Sequence, residues 1–64
     1  MNALRDFDRV IVNTGGEDVR GVVISRDGER LNPALKGSAL VQFENSEHAQ
    51  WIPHKYIRPE GALL

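Results

Sequence analysis

Apolar and polar residues alternate along five short segments of the chain, and turn-forming residues separate these segments. Alternation over about five residues is the pattern of a β-strand with one buried face. The five predicted strands are Arg9 to Asn13, Val19 to Ser25, Ser38 to Glu44, His48 to Pro53, and Ile57 with Arg58. The pattern therefore predicts an all-β protein.

The alternation also divides the strand residues between two faces of the predicted sheet. Val10 and Val12 share one face of the first strand, and Ala39, Val41 and Phe43 share one face of the third. We expect these two faces to meet in the core, with Phe43 as its largest residue.

Three further features refine this picture at the ends and in the second strand. Leu4 and Phe7 precede the first strand at a spacing that lets both cap one end of the core. Gly21 lies inside the second strand, where glycine commonly marks a bulge or a sharp bend that helps a sheet to curl. We expect a single domain with its core at about residues 8–59 and a flexible tail at residues 60–64.

A long connection joins the second and third strands. It runs from Arg26 to Gly37 and carries both acidic and basic residues. Within it, Asp27-Gly28 is a pair that can close a local hairpin. Loops of this length are uncommon in small domains and often carry binding specificity. The loop is therefore a candidate part of a binding surface.

The order of these elements resembles the plan of an SH3-like barrel. That plan has five strands, a long loop after the second, a tight hairpin after the third and a 3₁₀ turn before the fifth, here at His54 to Tyr56. The segments DRVIV, GVVI, ALVQF and QWIPHKYIRP are similar to those of Tudor and KOW-type modules over about residues 8–59. The resemblance implies a five-stranded SH3-like barrel that binds protein or nucleic acid.

Composition narrows the classes of function for this chain of 64 residues. Eight Lys and Arg stand against nine Asp and Glu, so bulk positive charge would not hold a nucleic acid. There is no cysteine, and His48 and His54 lack neighbours at metal-ligand spacing, so we expect neither a metal nor another cofactor. No apolar run approaches the roughly 20 residues of a membrane span, and the N-terminus lacks the layout of a signal peptide, which favours a cytoplasmic protein.

Trp51 is the strongest candidate for partner recognition. If Gln50 and Ile52 point inward, alternation places the indole on the outer face, and tryptophan is enriched at binding hot spots. The alternative is that Trp51 packs under the long loop or the N-terminal turn. The predicted partner-binding residues are Trp51, Tyr56, Gln50, Arg26, Arg30 and Lys36.

A nucleic-acid-binding module of the Tudor or KOW kind is the first alternative. Arg20, Lys55 and Arg58 are the additional candidate contacts, with an aromatic ring as a stacking surface. Arg20 and Arg26 are an even number of residues apart, so they share a face if the strand between them is regular. This alternative predicts binding that weakens steeply with added salt.

The second alternative is an oligomeric enzyme subunit. The chain is similar to the plasmid-encoded type II dihydrofolate reductases in its opening Asp8-Arg9-Val10, in Gly21 and in the segment from Gln50 to Pro53. That family has Gln-Ile-Tyr-Pro in this segment and a lysine before the second strand, and this chain lacks both the tyrosine and the lysine. No serine or threonine has an evident base partner. The preferred hypothesis is therefore a non-catalytic adaptor module that recognises a protein partner or itself.

Overall fold

The computed structural model describes residues 4–61 and contains five strands with two 3₁₀ turns. The strands are β1 (Arg9–Asn13), β2 (Asp18–Ser25), β3 (Ser38–Phe43), β4 (Ala49–Pro53) and β5 (Ile57–Pro59). We call the 3₁₀ turn at Pro33–Leu35 the loop turn and the one at His54–Tyr56 the closing turn. The all-β prediction and the closing turn are confirmed, and every strand boundary lies within one residue of its predicted place.

All five strands belong to one antiparallel sheet with the order β4-β3-β2-β1-β5. In a flat sheet of five strands the two edge strands would lie about 19 Å apart. Here the closing turn joins β4 to β5 with three residues, and a 3₁₀ turn advances only about 2 Å per residue. The sheet must therefore curl strongly, and its concave face encloses the core.

The core consists of small, mostly β-branched side chains on the concave face. Its buried members are Val10, Val12, Val23, Ala39, Val41 and Ile52. Three partly buried residues pack against them: Leu4, Phe43 and Ile57. The predicted core faces of β1 and β3 and the capping role of Leu4 are thus confirmed. The expectation that Phe43 is the largest core residue is wrong. Phe43 is only partly buried and lies at the margin of the core, and the largest fully buried side chains are valines.

β2 contains one register shift, and it does not lie at the glycine. Gly21 pairs in register with Val10 on one side and with Phe43 on the other. The shift falls between Val23 and Ser25. Of the two predicted alternatives at Gly21, a bulge or a sharp bend, the bulge is wrong, because regular pairing continues through the glycine and the extra residue comes three positions later.

Phe7 does not cap the core as predicted. Its amide donates to the carbonyl of Val23 and so extends the ladder between β1 and β2. Its φ of 70° is positive, however, which is uncommon for an aromatic residue. The ring is 77% exposed. The backbone conformation thus turns Phe7 away from the core that Leu4 contacts.

Glu60, the first residue after β5, is bound to the sheet. The amide of Glu60 donates to the carbonyl of Arg9 over 3.0 Å. Its carboxylate lies 3.5 Å from Nε of Arg20. Glu60 is thus tied to the sheet rather than part of a flexible tail, whereas residues 62–64 of that predicted tail lie outside the described residues.

Gly21 generates a test of how tightly β2 and β3 approach each other. A Cβ built at Gly21 would lie 2.6 Å from Cγ1 of Val41 and 2.9 Å from the carbonyl oxygen of Gln42. Both distances are too short, so Gly21→Ala should lower the free energy of unfolding by about 1–3 kcal/mol in urea titrations. Gly15→Ala is the control, since a Cβ there meets no atom within 4 Å. Equal stability of the two variants would contradict the close approach.

Candidate functional site

The side chain of Asp27 ties the two ends of the long loop together. Its Oδ1 accepts a hydrogen bond from the amide of Glu29 at 2.9 Å, and its Oδ2 accepts one from the amide of Gly37 at 3.4 Å. The predicted local hairpin at Asp27-Gly28 does not form. Instead, the amide of Gly28 donates to the carbonyl of Ser38, beyond the far end of the loop, over 3.0 Å. The loop is therefore a folded element with fixed ends.

The closing turn also binds the long loop. The amide of His54 donates to the carbonyl of Gly37 over 2.7 Å. Nε2 of the same histidine lies 2.7 Å from the carbonyl oxygen of Arg26. A carbonyl can only accept, so Nε2 is the donor. One histidine thus connects both ends of the loop to the segment that joins the two edges of the sheet.

Trp51 packs under the long loop, which is one of the two arrangements that the sequence left open. A Cβ at Gly28 would lie 2.8 Å from Cζ3 of Trp51 and 2.5 Å from Cβ of Leu35. The backbone at Gly28 therefore passes directly between the indole and the loop turn. Trp51 is half-buried, and Leu40 is its partner across the ladder. Only a glycine fits at position 28 without displacing the ring.

An exposed apolar residue lies beside this packed centre. Leu31 is 76% exposed, although its amide donates to the carbonyl of Gly28 and holds its backbone in place. Leu35 and Trp51 lie against Gly28, and the backbone of Leu31 is bound to it; we call these three residues the loop face. Sequence reasoning missed Leu31. Its only signal was a single leucine within the polar stretch that precedes the loop turn.

The predicted partner-binding residues do not all belong to the loop face. Tyr56 is partly exposed in the closing turn, and Nζ of Lys55 lies 5.1 Å from the centre of its ring. Arg30 and Lys36 are exposed on the loop. Arg26 contributes backbone groups, because its amide donates to Asp6 and its carbonyl accepts from the closing turn. Trp51 is therefore the one predicted residue at the packed centre.

Gln50 opens onto a different surface, which we call the neutral cleft. This cleft of about 230 Å³ has an apolar floor made of Val12, Val19, Phe43 and Ile52. Its polar rim consists of Thr14, Asn45, Ser46 and Gln50. Alternation along β4 separates Gln50 from the neighbouring Trp51, so the structure divides the predicted binding residues between two surfaces.

Two of the basic residues proposed for nucleic acid already have acidic partners. Arg20 lies beside Glu60, as described above, and the guanidinium of Arg58 donates to Oδ2 of Asp18 over 2.8 Å. The hydrogen bond from Arg58, followed by one from Asn13, lowers the pKa of Asp18. These pairs satisfy the arginines locally, so they favour a structural role over contact with phosphate.

Arg20 and Arg26 do not share a strand face as predicted. The register shift of β2 lies between them and interrupts the alternation. Arg26 also lies beyond the end of β2, which is Ser25. The condition of the prediction, a regular strand, is therefore not met, because one extra residue in a strand reverses the facing of everything after it.

Two classes of feature are absent from the described part of the chain. Among residues 4–61, none of the helical segments is long and apolar enough to cross a membrane. Within the same range, no three His, Asp or Glu side chains cluster in a way that could hold a metal ion.

The stability contributed by Asp27 should depend on pH. The hydrogen bond from the Glu29 amide lowers the pKa of Asp27, partial desolvation opposes it, and Gly37, His54 and Lys36 lower it further. A carboxyl whose pKa is lowered by folding stabilises the fold above its unfolded pKa, and this contribution is lost as the pH falls through the folded value. Urea unfolding between about pH 5 and pH 2 should therefore show a smaller acid loss for Asp27→Asn than for the wild type.

Glu47→Gln is the control for this experiment, because it removes one carboxylate from the turn between β3 and β4. It should unfold at the wild-type urea concentration at pH 7, whereas Asp27→Asn should unfold at a lower one. Identical acid dependence in Asp27→Asn and the wild type would show that Asp27 does not hold the loop.

Gly28→Ala tests the packing of Trp51 under the loop. The added methyl group must displace either the indole or Leu35. We expect a loss of about 1–3 kcal/mol in the free energy of unfolding, together with a red shift of the tryptophan emission. Gly15→Ala should change neither quantity. Unchanged emission and stability in Gly28→Ala would rule out this packing.

Comparisons of the chain with protein-family models, with curated proteins and with solved structures found no match. The resemblances to Tudor and KOW-type modules and to the type II reductases thus stay predictions from sequence.

Proposed function

We propose that this protein is a small, non-catalytic SH3-like module that binds a protein partner through the loop face. The observation that carries the proposal is Leu31, a large apolar residue that is 76% exposed and whose amide donates to Gly28, the residue that packs against Trp51. Isolated exposed apolar residues are ordinary on protein surfaces. Here the exposed leucine is bound through its backbone to Gly28, which packs against a tryptophan, the residue type most enriched at binding hot spots.

The rigidity of the long loop supports this proposal. Asp27 and His54 fix the ends of the loop through hydrogen bonds, and Gly28 packs against Trp51. A surface that is ordered before binding loses little conformational entropy when a partner arrives. A fixed loop can therefore present Leu31 for binding at low entropic cost.

The charges of the molecule favour protein over nucleic acid as the partner. The formal net charge is -1 at pH 7. Arg20 and Arg58 lie in ion pairs with acidic side chains, and Lys55 lies over the ring of Tyr56. Binding to nucleic acid is driven mainly by cations that are free to neutralise phosphates. A second copy of the chain is one form that the protein partner can take.

Leu31→Ser tests the loop face directly. We expect the wild-type protein either to retain a partner from an extract of its source cells or to form a dimer in solution. Leu31→Ser should weaken that association at least about tenfold, because truncating a hot-spot residue costs about 2 kcal/mol or more. Quantitative mass spectrometry of the retained proteins and the solution mass by light scattering measure the two cases.

Ile24→Ser is the matched control, since Ile24 is also an exposed apolar residue but lies at the register shift of β2. It should leave the association unchanged. Association that Leu31→Ser does not weaken, or a monomer that retains no protein, would refute the proposal. Retention of nucleic acid that weakens steeply with salt would favour the alternative module.

A further inference from the structure

One side of β4 is unpaired in the sheet. β4 is an edge strand whose neighbour is β3. Two observations fix the hydrogen-bonding phase of this pair. Pro53 lies opposite Ser38 and has no N–H to donate, and the next residue, His54, donates its N–H to the carbonyl of Gly37. Bonded and non-bonded pairs alternate along an antiparallel ladder, so the bonded positions recur every second residue from His54.

This phase decides which backbone groups of β4 are free. Because the bonded positions recur every second residue back from His54, Ile52 and Gln50 direct their N–H and C=O groups toward β3. Ala49 and Trp51 direct theirs to the opposite side, which is the open edge of the sheet. Within residues 4–61, no backbone partner contacts them there. The N–H and C=O groups of Ala49 and Trp51 are thus two donors and two acceptors with the two-residue spacing that pairing with a further strand requires.

The two edges of the sheet differ in their protection. β5 is three residues long and contains Arg58 and Pro59, and short length, charge and proline all block the addition of another strand. β4 has five residues with the sequence AQWIP, which carries no charge and has its one proline at the end. The edge at β4 is therefore suited to pairing with another strand, and the edge at β5 is not.

The neutral cleft lies on the concave side of the same strand. Gln50 and Ile52 of β4 line it, and the described residues around it carry no charge. An extended segment beside β4 would place alternate side chains on the same side of the sheet as Gln50 and Ile52. Uncharged side chains at those positions could cover the apolar floor without burying a charge.

We propose that β4 binds an extended peptide segment of a partner protein, which adds to the sheet as a sixth strand and directs uncharged side chains over the neutral cleft. Free N–H and C=O groups at two-residue spacing select a polypeptide backbone as the ligand. This inference goes beyond the proposed function, because it depends on the backbone of β4 and the neutral cleft. The loop face instead uses side chains on the other side of that strand.

The test begins with a displayed library of random nine-residue peptides selected on the full-length chain. Peptides that bind should slow amide hydrogen exchange at Ala49 and Trp51 at least about tenfold, because these amides gain a partner. The amides of Gln50 and Ile52 already bond to β3 and should change little. A copy of each peptide that is N-methylated at alternate residues keeps its side chains and should lose binding.

Three variants separate this site from its surroundings. Gln50→Glu should weaken peptide binding at least about tenfold, because a carboxylate on the rim must lose water when the segment covers it. Glu47→Gln, just before β4, should keep the wild-type affinity. Leu31→Ser should also keep it, so that failure of the loop face and failure of this inference are distinguishable.

Three results would overturn the proposal. The first is that no peptide is enriched. The second is that enriched peptides protect amides elsewhere, or that their N-methylated copies bind equally well. The third is a dimer, detected by light scattering, in which a second copy of the chain already protects Ala49 and Trp51.

Discussion

The two edge strands of the sheet are joined by a turn of only three residues, and much of the structure follows from that constraint. Such a short link forces five strands to curl tightly, so the space inside is narrow. Valines fill most of it, and the one phenylalanine of β3 stays at its margin. Gly21 is required where β2 approaches Val41, because there is no room for a side chain. A core this small leaves large apolar residues for the surface.

The long loop shows how a chain without disulfides can fix a segment outside its core. Asp27 and His54 supply hydrogen bonds where a larger protein would supply buried side chains. Gly28 then lets the loop backbone lie against Trp51. The indole therefore supports the loop. The amide of Leu31 donates to the carbonyl of Gly28, so Leu31 is exposed on a backbone that is held in place.

β4 connects the loop face with the neutral cleft. Its side chains alternate between the concave side, where Gln50 borders the neutral cleft, and the outer side, where Trp51 meets the long loop. Its backbone groups alternate too, between β3 and the open edge. One short strand thus contributes to a loop face and to a free edge. Elsewhere on the surface, Arg20 and Arg58 each lie beside a carboxylate.

The sequence by itself determined the five strands, their buried faces and the closing turn, because alternation and turn chemistry act between residues close together in the chain. Contacts between distant segments decided the rest. The register shift of β2, the exposure of Phe7 and the packing of Trp51 under Gly28 depend on where a neighbouring strand or loop comes to lie. Periodicity carries no information about such distances, so Leu31 and the open edge of β4 became visible only in the tertiary structure.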